Sequence, residues 1–343
     1  MTTMAASLLA RKLIVVTGKG GTGKTTVAAA LGLLAAQRGL HTLVAELGGQ
    51  HRVPALFDRA APKQANAEIE LEQRLWSTSI DPRHALFEWL HTIGGRISAR
   101  MLAASSTFNY FAAAAPGAKE LVSMIKVREL CERPIGRDAH GHDRHGYEDR
   151  RRDHTRRYDL VILDAPATGH ALAMLRSPQT FSAIVRVGPL ADQARKVREL
   201  LESHELCAYL AVTHATEMAV AETLELEEGL RRNLDRDLDV VVVNGTVPRR
   251  FTREELTRIA SVADPRSLDA LGEDAPLAQA SVRTARAVYE RARRQRAQLA
   301  HLRRQRFADG RPPQIVTIPF RFTPHLDLAG LRDIAAALER KLQ

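Results

Sequence analysis

Residues 18–25 read Gly18-Lys19-Gly20-Gly21-Thr22-Gly23-Lys24-Thr25, between the β-branched run Leu13–Thr17 and a helical pattern through Thr26–Ala36. No other stretch restricts the chain so tightly, because G-x-x-x-x-G-K-[ST] demands a strand, a tight turn and a helix in that order. The glycines let main-chain N–H groups turn inward around phosphate oxygens, and the helix N-terminus adds its positive end. In such a loop Lys24 reaches the β- and γ-phosphates of a nucleotide and Thr25 ligates Mg2+. Gly18, Gly20, Gly21, Thr22, Gly23, Lys24, Thr25 and Thr26 are therefore the candidate phosphate-binding residues.

Lysine usage sharpens this reading. The chain has 42 arginines and only eight lysines, yet two of the eight lie in this loop. Lysine suits a geometry that wants a compact point charge, where arginine brings a planar fork. An early lysine such as Lys19 can reach across a subunit interface and stabilise the charge that develops on phosphoryl transfer, as an arginine finger does. That implies a dimer. Further on, Tyr158-Asp159-Leu160-Val161-Ile162-Leu163-Asp164 is an apolar strand ending in a carboxylate, where a phosphate-loop fold carries the acid that helps hold Mg2+. Lys19, Lys24 and Asp164 are the candidate catalytic residues, and Thr25 and Asp164 the candidate metal ligands.

Short β-branched runs at Leu13–Thr17, Thr42–Glu46, Trp76–Ile80, Leu160–Leu163, Tyr209–Thr213, Val240–Val243 and Ile315–Ile318 alternate with helical stretches. The alternation predicts an α/β phosphate-loop fold, a mostly parallel sheet with helices on both faces. The first and last runs both read as central strands, so one domain over residues 1–343 is expected, with insertions. Residues 84–132 carry long helical patterns bearing Phe87, Trp89, Leu90, Met101, Leu102, Phe108, Phe111, Leu121, Met124 and Ile125, and read as a helical subdomain. Residues 133–157, rich in His, Arg, Asp and Gly without apolar periodicity, read as a mobile charged loop. Its histidines, His140, His142, His145 and His154, are solvated on this reading, with metal binding the alternative.

Composition narrows the partners. With 45% hydrophobic and 26% charged residues the chain can bury a core, which excludes a disordered protein. No apolar run approaches the ~18 residues of a membrane-spanning helix, and Met1–Lys12 lacks the order of a secretory signal, so a cytoplasmic location is expected. Cys131 and Cys207 are far apart and are expected to be buried apolar residues, forming no disulfide framework or zinc site. Of the net charge of +10, most comes from residues 283–306, which hold nine arginines and one acid, Glu290. Val282, Ala285, Tyr289, Ala292, Leu299 and Leu302 fall along one helical face there, which predicts a covering helix with its arginines in solvent. A nucleic-acid or anionic-membrane surface is the alternative.

The lysine-bearing loop, together with Asp164-Ala165-Pro166-Ala167-Thr168-Gly169-His170 and the apolar Ala171–Leu175, resembles the arsenite-pump ATPase (ArsA) family, which includes the ATPase that targets tail-anchored membrane proteins. Ile80-Asp81-Pro82, Ala115–Leu121, Val212-Thr213 with Glu222-Thr223, Val241–Asn244 and Ile318-Pro319-Phe320 agree, so the resemblance covers nearly the whole chain. It implies ATP and Mg2+ as ligands and Asp164–His170 as a switch that senses the γ-phosphate. It also implies that Asn244 hydrogen-bonds adenine and that the loop after Pro319 packs on the base. The family works as a dimer or as two fused halves, so a homodimer, or a heterodimer with a paralogous half, is expected.

The chain departs from that pattern after the loop helix. Members of the family carry an Asp-Pro-Ala-His-like turn whose Asp orients the attacking water; here the residues are Ala45-Glu46-Leu47-Gly48-Gly49-Gln50-His51, with no carboxylate near Gly48. Glu46 lies two residues early and, by strand periodicity, faces the same side, which makes it the candidate substitute. Slow hydrolysis, or hydrolysis completed by a partner's residues, is the corollary. Two separated cysteines suit neither arsenite, which wants clustered thiolates, nor the zinc bridge of some targeting members. The expected function is a dimeric ATP-driven switch handling a protein client or membrane-pump partner, with nucleic acid an unlikely partner. The alternatives are a DNA- or membrane-positioning ATPase like ParA and MinD, and a nucleotide-binding subunit with little activity of its own.

Overall fold

The computed structural model describes residues 4–89, 117–134, 157–184, 188–261, 264, 270–307, 310, 312–323 and 325–342. Eight strands form one sheet: β1 (Leu13–Gly18), β2 (Thr42–Leu47), β3 (Glu68–Glu72), β4 (Leu75–Ile80), β5 (Leu160–Ala167), β6 (Cys207–His214), β7 (Val240–Thr246) and β8 (Ile315–Pro319). Their order is β3-β4-β2-β5-β1-β6-β7-β8, and every neighbouring pair is parallel except β3 and β4. The chain steps from β1 to opposite sides of the sheet, so β1, flanked by β5 and β6, is the switch point at whose carboxyl end an open α/β sheet binds its ligand.

Both faces of the central strands are buried, which is why they read as continuous apolar runs. Leu13 and Val15 of β1 point into one layer and Ile14 and Val16 into the other. The second layer is closed by α1 (Met4–Leu9), α2 (Lys24–Gln37) and a C-terminal helix, Leu328–Leu342. Helix α2 sits close to the sheet at Gly32, where an added Cβ would lie 2.7 Å from Val44 and 3.0 Å from Leu75. The first layer is covered by Ala118–Glu132, Thr168–Ile184, Pro189–Glu202 and Glu217–Leu234.

Three features depart from the sequence reading. Strand β3 is new; its Glu-Ile-Glu-Leu-Glu alternation puts glutamates on one side of an antiparallel edge, which obscured the apolar signal. Strand β8 is an edge and not a central strand; Val316 and Ile318 look interior because the C-terminal helix packs over them. Strand β5 continues past Asp164 to Ala167, because Thr17 Oγ1 donates to the Pro166 carbonyl at 2.9 Å and keeps the strand beside β1. Of the apolar residues in the stretch read as a helical subdomain, Leu121, Met124 and Ile125 are buried in the core under the sheet.

Leu90, Met101, Leu102, Phe108, Phe111 and the four histidines of the charged loop lie outside the described residues. That loop's flanks meet: Arg157 N donates to the Arg133 carbonyl at 2.7 Å, and both arginines pair with Glu68 of β3. Cys131 and Cys207 are free and buried. Among the described residues no helix is long and apolar enough to cross a membrane.

Candidate active site

The turn after β1 closes upon itself. Lys24 Nζ and Thr22 Oγ1 both donate to the Lys19 carbonyl, at 3.1 and 2.8 Å, and Asn244 Nδ2 at the end of β7 donates to the Thr22 carbonyl at 2.9 Å. Gly23 holds φ at +91°, and a Cβ there would fall 2.5 Å from the Asn244 amide, so only glycine fits between loop and β7. Gly18 meets the same limit against β6, where an added Cβ would lie 2.1 Å from the Val212 carbonyl. By contrast, Cβ atoms at Gly20 and Gly21 would meet nothing within 4 Å, so this side of the loop is open.

The open side faces a cleft of about 610 Å³ lined by Gly20, Gly21, Gly23–Thr26, Glu46, Leu47, Gln50, Arg52, Leu56 and Asp164–Ala167. At its floor Thr25 Oγ1 donates to Asp164 Oδ2 at 2.6 Å, joining the start of α2 to β5. The other oxygen, Asp164 Oδ1, is buried without a hydrogen-bond partner. Burial, together with the neighbouring Glu46 carboxylate, pushes Asp164 up to about 6 although the Thr25 hydroxyl and Lys24 pull the other way. Burial lowers the Lys24 ammonium in turn, and Asp164 works against that shift. An orphaned carboxylate oxygen beside a threonine hydroxyl, with a second acid nearby, is a hard oxygen set that suits a magnesium ion, whose charge would reverse the shift of Asp164.

The sequence profile of the anion-transporting ATPases matches residues 11–188, just over half of the chain and the part that holds the loop, the cleft and Asp164. The chain belongs to the anion-transporting ATPase family. Among its relatives, ATPase BagA of Mycobacterium tuberculosis is 28% identical over 261 residues, which cover 73% of this chain and 69% of BagA. ATPase GET3B of Arabidopsis thaliana is 24% identical over 315 residues, covering 78% and 72%. ATPase ARSA1 of Chlamydomonas reinhardtii is 23% identical over 318 residues, covering 77% of this chain and 38% of ARSA1.

Four side chains hold positions that the sequence reading did not anticipate. Lys19 Nζ pairs within its own chain with Glu222 of the helix Glu217–Leu234, both side chains 31% exposed. Glu46 is buried, and both its oxygens are engaged: Oε1 accepts the Arg52 N–H at 2.7 Å and Oε2 the Val53 N–H at 3.1 Å. The burial raises its pKa while the two N–H groups oppose the rise. Arg52 and Gln50, which the sequence reading passed over, line the cleft; the signal for them was the departure at Gly48-Gly49 itself, since an altered turn changes which side chains face inward.

Beyond Asn244, Pro319 ends β8 opposite Thr246. The next residue, Phe320, is 38% exposed and meets Phe322 edge-on at 4.9 Å. Arg291 lies 5.2 Å over Phe320 and Arg250 5.2 Å over Phe322. Gln295 ties this corner together, donating to the Gly245 carbonyl at 3.0 Å and accepting the Val247 N–H at 2.7 Å. The sequence reading named Phe320 and the loop after Pro319 but not the pairing with Phe322, because a Phe-x-Phe in a loop has no periodicity to mark it.

Proposed function

We propose that this anion-transporting ATPase family member hydrolyses ATP at the cleft between the Lys19–Thr25 loop and Asp164, and works as a dimeric switch on a protein client or membrane-pump partner. The observation that carries the reading is the Thr25–Asp164 junction at the cleft floor, beside Lys24 and the open side of the loop. Main-chain N–H groups of the loop would bind the phosphates, Lys24 would hold the β- and γ-phosphates, and Thr25 and Asp164 would hold Mg2+. When bound, Mg2+ neutralises charge on the β- and γ-phosphate oxygens. Asn244 and the residues after Pro319 would take the adenine, with Phe320 supplying an aromatic edge. Lys19 would turn from Glu222 to the nucleotide of the facing subunit, whether an identical chain or a paralogous half.

The test is steady-state Mg-ATP hydrolysis by the purified chain beside Lys24→Ala. We expect turnover that vanishes in the variant and on chelation of the metal. Equal phosphate release by both proteins would overturn the reading.

One observation favours a second reading, a positioning ATPase on an anionic surface. The helix Ala275–Arg304 buries Ala285, Ala292, Gln295, Leu299 and Leu302 and leaves its arginines exposed. Among the described residues none of the nine arginines between 283 and 306 pairs with a carboxylate, whereas Arg38, Arg128, Arg133 and Arg231 do. On this reading duplex DNA or anionic vesicles bind the chain with a steep log–log salt dependence, and substituting Arg286, Arg293 and Arg294 by Gln flattens the slope. Binding that ignores salt would remove it.

A further inference from the structure

The geometry points to Arg52 as a further catalytic residue that contacts the γ-phosphate from the same subunit, with Glu46 as the positioning residue that aims it. This rests on the ATPase reading above and adds a residue to its site. Three observations carry it. Arg52 lines the same cleft as Lys24, Thr25 and Asp164. Among the described residues its guanidinium has no carboxylate within ion-pair distance, so the charge is free for an anionic ligand; Lys24, Asp164 and Glu46 all feel it. Its main chain is also held in place. Gly48 and Gly49 adopt φ of +86° and +72° and His51 +45°, a run of left-handed residues that folds the chain back after β2. The fold-back delivers the N–H groups of Arg52 and Val53 onto the two Glu46 oxygens, at 2.7 and 3.1 Å.

A carboxylate with both oxygens committed to main-chain donors is poorly placed to orient water, but it is well placed to fix a turn. The turn is pinned to the sheet through Glu46, whose partner across β2 and β5 is Asp164, so the Arg52 main chain is anchored to the strand pair that carries the cleft-floor carboxylate. A planar fork of donors at a γ-phosphate stabilises charge in the ground state and more so in transfer, which is the chemistry an arginine supplies in cis in other phosphoryl-transfer sites.

The test compares wild type, Arg52→Ala, Arg52→Lys, Glu46→Gln and Lys24→Ala for turnover and for the dissociation constants of ADP and ATPγS. We expect Arg52→Ala to weaken ATPγS about tenfold with ADP unchanged and to lower kcat about 10²-fold or more. Guanidinium added in solution should restore part of the turnover to Arg52→Ala and none to Lys24→Ala. Arg52→Lys should recover some ATPγS affinity but little kcat, and Glu46→Gln should lower kcat with no response to guanidinium. Equal loss of ADP and ATPγS binding in Arg52→Ala would mark a structural role and overturn the proposal, as would unchanged kcat and affinity. Wild type no faster than Lys24→Ala would instead sink the ATPase reading, while the ratio of ADP to ATPγS affinity would still judge Arg52. Mixing Arg52→Ala with Lys24→Ala chains should restore no turnover; recovery would move Arg52 to the facing subunit and overturn the assignment in cis.

Discussion

Lys19→Ala is expected to lower ATP turnover by about 10³-fold while leaving nucleotide affinity within a few fold, by analogy with the loss of a charge supplied in trans to a transferring phosphoryl group. The side chain does not build the loop. It is the Lys19 carbonyl, unaffected by substitution, that accepts the hydrogen bonds of Thr22 and Lys24. The ammonium is paired with Glu222, and because both partners are about a third exposed the pair is worth little, about 1 kcal/mol at most. In the proposed dimer a nucleotide phosphate on the facing subunit would displace Glu222, and the contact would then be a resting position of Lys19. Mixing Lys19→Ala with Lys24→Ala chains is the decisive measurement. In a mixed dimer the subunit with intact Lys24 receives Lys19 from its neighbour, so turnover should return. Two inactive proteins that remain inactive together, or Lys19→Ala at wild-type turnover, would rule out action across the interface.

Arg236→Ala is expected to destabilise the fold by about 3–5 kcal/mol, a large fraction of the ~5–15 kcal/mol that holds a typical domain. Arg236 is 1% exposed and lies at the amino ends of β6 and β7, the opposite end of these strands from the cleft. Its Nη1 donates to the Ser203 carbonyl at 2.6 Å and Nη2 to the Cys207 carbonyl at 2.8 Å, Asp239 lies 3.5 Å away, and the guanidinium lies 5.2 Å over the Tyr209 ring. Removing it takes the guanidinium donors from the Ser203 and Cys207 carbonyls and the counter-charge from Asp239, whose Oδ2 keeps the Tyr209 N–H at 2.8 Å, and this costs far more than the lost contact area. Arg236→Met fills the volume without the donors and should recover only a small part. The midpoint of urea unfolding reads the effect, and a shift worth less than about 1 kcal/mol in Arg236→Ala would show that water replaces the guanidinium there.

The aromatic pair and Glu46 illustrate how far local sequence reaches. Gly18–Thr25, the strand before it and the helix after it were legible because the motif is local: every atom that shapes the turn belongs to a few consecutive residues. Asp164 was legible for a related reason, since an apolar run ending in an acid has one place in such a sheet. Glu46 was legible as an acid near the site, whereas its engagement with the Arg52 and Val53 N–H groups depends on the left-handed turn at Gly48, Gly49 and His51, which no periodicity encodes.

Sequence alone thus determined the family, the phosphate loop and the alternation of strands and helices, because hydrophobic periodicity and turn chemistry act between near neighbours. Tertiary structure decided which distant groups meet: Thr25 with Asp164, 139 residues apart, Lys19 with Glu222, 203 apart, and Asn244 with Thr22, 222 apart. It also decided that β8 is an edge and that Arg236 is buried. These are set by strand order and by which crossover lands beside β1, and strand order follows from packing two faces of one sheet, a condition on the whole chain that no single segment carries.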